Sequence, residues 1–196
     1  MVQNVKYTNN SEEKWSNTGI LVADNEWEHI YMTPFKVTIQ SKLQSFQYQI
    51  LKRSLVTNKF LYLCKIKDSN NCHFCKAHIE TIEHLFFDCK AVHTFWMNVI
   101  KWLPVELEFR GFVSRKNVLL GDTQCKNNVI LNHLSIIGKR YIYVSRCLDR
   151  KLNVQGFART VVQCYRMEKD IAGRNEKTNL FENKWKLLKH IIDPLI

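Results

Sequence analysis

The sequence predicts a mainly α-helical protein, a multi-helix domain built around one small Cys/His zinc knuckle. Three observations predict it. Apolar residues return at steps of three and four through most of the 196 residues, the periodicity of a helix with one buried face. Three cysteines and a histidine fall between Cys72 and Cys89. Strand-like alternation is confined to Val105, Leu107 and Phe109 before Gly111, which leaves room for at most one short β-hairpin.

The knuckle reads C-x2-C-x8-H-x4-C through Cys72, Cys75, His84 and Cys89. Two thiols separated by two residues form a chelating hook across a tight turn, and Asp68-Ser69-Asn70-Asn71 supplies turn-forming residues just ahead of it. Three sulfurs and one imidazole nitrogen are a tetrahedral zinc set, so Zn2+ is the expected cofactor. His93 completes an equally legal set with the three cysteines. His84 is preferred because Thr81 reads as the N-cap of a short helix to Phe86 that turns His84 back toward the hook. Four protein ligands leave no open position, so the ion is expected to be structural. A zinc hydrolase would require an open position beside a carboxylate.

In chain order, residues 1–33 read as a loosely ordered lead-in, with Trp15 and Ile20 docking weakly and a short helix from Asp24-Asn25 to Met32. Thr33-Pro34 ends that helix, since the residue before proline avoids helical geometry. Residues 34–104 form the second unit. Ile39, Leu43, Phe46 and Ile50 mark one helical face over Thr38–Leu55, and Thr57 caps a second helix carrying Phe60, Leu61 and Leu63. Beyond the knuckle, Val92, Phe95, Trp96, Val99 and Leu103 form an apolar face ended by Pro104. Residues 105–196 are a C-terminal helical region: a long helix from Asn128 through Leu148, another from Phe157 to near Gly173, and a last one from Phe181 to Ile192.

Charge points to a polyanionic partner. The chain carries a formal +11, and residues 34–67 hold seven basic side chains and no acid. Residues 110–151 hold nine basic and two acidic side chains. Such bias favours nucleic acid first. Lys52, Arg53, Lys59, Lys65 and Lys67, then Lys139, Arg140 and Arg146 off the long helix's apolar stripe, are the candidate phosphate contacts. Phe74, exposed between the hook cysteines, is either a base-stacking platform or a packing residue. With three of seven cysteines committed to metal, Cys64, Cys125, Cys147 and Cys164 read as ordinary apolar residues of a protein kept reduced, intracellular in cytoplasm or nucleus and not secreted. No apolar run approaches a bilayer span, no signal segment is apparent, and no carboxylate pair, phosphate loop or nucleophile elbow suggests an enzyme.

The run from Phe46 to Trp96 resembles the zinc-binding domain C-terminal to the reverse transcriptase of non-LTR (LINE-type) retrotransposons. The resemblance rests on Phe46-Gln47, Ile50-Leu51-Lys52-Arg53, Thr57-Asn58-Lys59 and Leu61, the Cys/His ligands, Glu80 to Phe86, and Phe95-Trp96. It implies a module that holds template RNA or target DNA during target-primed reverse transcription, with polymerase and endonuclease centres elsewhere in a longer polyprotein. The alternative expectation is a protein-interaction module that docks on the reverse-transcriptase body, its basic residues only solvated.

Overall fold

The computed structural model describes residues 10–122 and 128–195; Cys125 lies outside them. The chain opens with α1 (Asn10–Ser16), α2 (Trp27–Val37), α3 (Ser41–Leu51) and the short α4 (Asn58–Leu63). After the Cys/His loop come a π-helical turn at His84–Asp88 and α5 (Lys90–Trp102). There follow α6 (Phe109–Phe112), α7 (Arg115–Leu120), α8 (Asn128–Cys147), α9 (Val154–Arg174), α10 (Thr178–Trp185) and α11 (Lys189–Ile192). Among the described residues there is no strand, only an isolated antiparallel bridge between Asn71 and Ile79. None of their helices is long and apolar enough to cross a membrane.

α8 is the axis of the molecule. It packs on α2, α3, α7, α9, α10 and the π turn, and every residue from Leu131 to Lys139 is buried. Over that segment α8 is enclosed on all sides and has no solvent face, which corrects the reading of a one-sided stripe there. Lys139 therefore lies in the core rather than among phosphate contacts. Its Nζ donates to Gln47 Oε1 at 2.6 Å and to the Leu119 carbonyl at 3.3 Å, joining α3, α7 and α8. Burial without a carboxylate partner pushes this amine well below its ordinary range.

Three other expectations are corrected. From residue 10 onward the lead-in is docked: Trp15 is fully buried, and its Nε1 donates to the Leu51 carbonyl at 2.8 Å. Pro34 does not end α2; Pro34 and Val37 are both buried, and the packing they gain outweighs one missing N–H. Val105–Leu107 forms a 3-10 turn and Phe109 begins α6, with Leu107, Phe109 and Phe112 all in the core, so alternation over three residues marked no strand. One cluster of buried apolar side chains runs from Trp15 to Ile192.

A close approach joins α5 to α8. A Cβ built on Gly138 would stand 2.4 Å from Trp96 Cη2, while one on Gly173 would meet nothing within 4 Å. Trp96 cannot retreat, because its Nε1 donates to the Phe86 carbonyl at 2.9 Å.

We expect Gly138→Ala to lose at least ~1–3 kcal/mol of stability through overpacking. Gly173→Ala in α9 should be neutral or gain up to ~1 kcal/mol; denaturant titration of the two variants checks the contrast. Lys139 supplies a pH dependence. Its amine is lowered in the folded chain, so between the folded and unfolded values the unfolded chain binds more protons. Stability should rise with pH through that window up to the ordinary lysine value, and Lys139→Met should remove this increment from the pH profile of unfolding.

Candidate metal centre

The centre is built from a turn and a helix start. Lys76, at φ 58, takes a left-handed conformation that folds the chain back after Cys75. The turn closes on itself: the Lys76 amide donates to the Cys72 carbonyl at 2.9 Å and the Cys72 amide to the His78 carbonyl at 2.7 Å. The bridge between Asn71 and Ile79 and the Glu80 amide on the Asn70 carbonyl fasten its base. Thr81 then receives the His84 amide on its Oγ1 at 3.1 Å, the cap expected of it.

From His84 the backbone winds as one π turn, in which the Cys89 amide reaches the His84 carbonyl at 3.0 Å. An i to i+5 bond brings together two residues five apart, so the H-x4-C spacing is the register of a π turn. Cys89 is also the residue from which α5 starts, and the backbone amides of Ala91 and Val92 approach its sulfur. Those amides and the helix dipole favour thiolate there.

The result is one cluster. A ligand atom from each of Cys72, Cys75, His84 and Cys89 lies within 4.8 Å of all the others. Cys72 Sγ and Cys89 Sγ are 3.8 Å apart, and Cys75 Sγ is 3.3 Å from His84 Nε2. Zinc bond lengths of ~2.3 Å to sulfur and ~2.0 Å to nitrogen imply tetrahedral edges of roughly 3.8 Å and 3.5 Å. The donor set and spacing therefore fit zinc. His93 is exposed on α5 and outside this cluster. Two buried thiols this close share one proton when no cation balances them: the Cys72 hydrogen bond lowers the Cys89 thiol and raises that of Cys72 itself. A divalent cation replaces that proton and lets both be thiolate.

Glu80 is the residue that sequence reasoning missed. It has no solvent exposure. Its Oε1 accepts from the Asn58 amide at 2.8 Å and Arg146 Nε at 2.7 Å, and its Oε2 from the His73 amide at 2.8 Å and Asn58 Nδ2 at 3.3 Å. Asn58 extends the network: its Nδ2 also reaches the Asn71 carbonyl at 2.8 Å, and its Oδ1 accepts from Lys67 Nζ at 2.9 Å and Arg146 Nη2 at 2.8 Å. The hook, α4 and α8 are thereby joined through one carboxylate. Two acids, Glu80 and Glu83, between the hook and His84, after a long stretch poor in acids, were the available signal.

The same network redistributes the basic residues. Arg146, expected off the stripe toward phosphate, is buried on Glu80. Arg53 ion-pairs with Glu83, and its guanidinium stacks on Trp15 at 4.4 Å. Burial, the largest single influence, raises the Glu83 carboxyl, but the Arg53 hydrogen bond and charge, together with backbone and Thr81 hydrogen bonds, outweigh it and hold the group low. Lys67 faces Asn58, Lys52 sits 4.6 Å over the Tyr31 ring, and Arg140 lies 5.4 Å from the Phe46 ring centre. Phe74 is half-buried against the core and edge-on to His73. Lys59 and Lys65 are exposed.

α4 departs from its expected packing. Thr57 caps it as the sequence suggests, but Asn58 occupies its only buried position. Phe60, Tyr62, Leu63 and, just beyond, Ile66 face solvent, with Leu63 and Ile66 at 69% and 68% exposure. The polar clamp on Asn58 holds this helix in place of an apolar face.

Residues 11–96 match a family model described as zinc-binding in reverse transcriptase. The match begins in α1 and ends at Trp96 within α5, so it takes in the docked Trp15 as well as the four ligands. No curated protein matches the chain.

Arg146→Met would leave Glu80 buried without its charge partner and should cost ~3–5 kcal/mol. Pairing it with Glu80→Gln should recover part of that loss, as a double-mutant cycle in denaturant would read. Chelating the zinc should lower the melting temperature, and Cys89→Ala should lower bound metal by elemental analysis whereas His93→Ala should not.

Proposed function

We propose that this chain is a zinc-stabilised nucleic-acid-binding module of a LINE-type reverse-transcriptase polyprotein, without a catalytic centre of its own. Four protein donors leave zinc no position for substrate, which supports a structural ion in a CCHC knuckle. Its chemistry is to hold the hook and the π turn in register. The module works in a reducing, intracellular setting, consistent with six free cysteines among the described residues.

One observation carries the reading. The ledge from Lys59 to Lys67 is solvent-exposed over almost its whole length and interleaves Lys59, Lys65 and Lys67 with Phe60 and Tyr62. It lies in a 34-residue stretch free of acids and is pinned by Asn58 to the base of the zinc hook. Ammonium groups beside exposed rings suit a single strand, whose phosphates and unpaired bases they meet together. With Lys139 and Arg146 buried and Arg53 committed to Glu83 and Trp15, the phosphate contacts we assign are Lys59, Lys65 and Lys67, with Lys52 and Arg140 as further candidates.

A second reading is favoured by the aliphatic members of the ledge. Leu63 and Ile66 cannot stack on bases and would suit a hydrophobic partner such as the body of a reverse transcriptase.

Binding of single-stranded RNA should weaken steeply with salt, and Lys59→Ala with Lys65→Ala should shallow that slope. Phe60→Ala or Tyr62→Ala should cost ~1–3 kcal/mol of binding. Leu63→Ala with Ile66→Ala should leave RNA affinity unchanged. Loss of RNA binding on the aliphatic pair alone, or no binding at low salt, would turn the assignment to the protein-docking reading.

A further inference from the structure

The metal centre is not closed evenly. Cys72 and Cys89 have no solvent exposure and His84 is buried, whereas Cys75 is half-buried, so the donor cluster opens toward solvent at Cys75. Another side chain stands at that opening. His78 is exposed, its Nδ1 is 3.9 Å from Cys75 Sγ, and its ring lies 5.4 Å from the ring of His84, tilted by 31°. The tetrahedral sulfur-to-nitrogen edge implied by zinc bond lengths is roughly 3.5 Å, so the separation of His78 Nδ1 from Cys75 Sγ is a few tenths of an ångström longer than that edge, with His78 outside the four-donor cluster.

The backbone puts it there. Only two residues separate Cys75 from His78, the left-handed Lys76 reverses the chain between them, and the His78 carbonyl is held by the Cys72 amide at 2.7 Å. The imidazole is thus tethered by its own main chain to the first hook cysteine while its side chain is exposed. His84, by contrast, is buried within the π turn.

We propose that His78 is a second imidazole ligand at the open edge of the centre, occupying the nitrogen position while zinc enters and leaves. It rests on the zinc site itself. The step is a ligand exchange: the zinc–His84 nitrogen bond breaks as a zinc–His78 Nδ1 bond forms, with both imidazoles neutral, three thiolates retained, and no change of oxidation state. His78 thereby captures the ion at the surface and hands it to His84, and the exchange runs in reverse on release.

Cobalt(II) substitution tests the proposal. A tetrahedral site of three thiolates and one imidazole has intense visible bands that three thiolates with added water do not reproduce. Wild-type chain without such bands would reject the zinc site. Given those bands, His84→Ala should keep the thiolate–imidazole spectrum at weakened affinity, and His84→Ala with His78→Ala should lose it. His84→Ala with His93→Ala should behave like His84→Ala alone; loss there, or no difference between the single variant and the His78 double, overturns the proposal. His78→Ala alone keeps all four ligands, and its zinc should pass to a competing chelator about tenfold more slowly, at the low end of what a group outside the ligand set contributes. An unchanged transfer rate overturns the proposal even where the His84 variants fail to fold.

Discussion

The Glu80 carboxylate decides how the parts of this protein meet. It is completely enclosed, yet its acceptors are matched to donors from three directions: the amide and side chain of Asn58, the amide of His73, and the guanidinium of Arg146. A buried ion pair with a solvated alternative contributes little net stability, but one wholly desolvated and fully hydrogen-bonded cannot be rearranged without leaving a charge unpaired. The consequence is geometric. Hook, α4 and α8 have one relative position, and the zinc donors hang from a frame that the metal did not have to create alone.

That frame explains how so small a knuckle is supported. Its two halves, the hook and the π turn, are clamped from opposite sides. Glu80 and Asn58 hold the hook to Arg146 on α8, while Trp96 holds the π turn through the Phe86 carbonyl and sits against Gly138 of the same helix. The ion pair of Arg53 with Glu83 fixes the residue just before His84, and through Trp15 it ties in α1. The family match starting at residue 11 follows the same logic, since the elements preceding α3 are part of the support rather than a lead.

The enclosure of α8 also sorts the positive charge. Charge counted along the chain gave two basic segments of similar weight. In three dimensions one of them turns inward at Lys139 and Arg146, whereas α4 and the residues after it keep Lys59 and Lys65 in solvent beside exposed rings. The exposed lysines that stand beside exposed rings are thus those of the α4 ledge, which is why the functional reading rests on that ledge and not on the long basic helix.

The sequence by itself determined the ligand types and their spacing, the Thr57 and Thr81 caps, the apolar face of α5 and the mainly helical class. All of these are local: each depends on residues within a few turns of one another, and period and capping chemistry report them directly. Only the tertiary structure decided that Trp15 is core, that α2 continues through Pro34, that α4 turns its apolar residues outward, and that Glu80 meets Arg146 across 66 residues. The reason is that burial on a second face is set by what packs there. A lysine opposite an apolar stripe reads as solvated until another helix covers it, and no periodicity within α8 announces the arrival of α3 and α7 over Lys139.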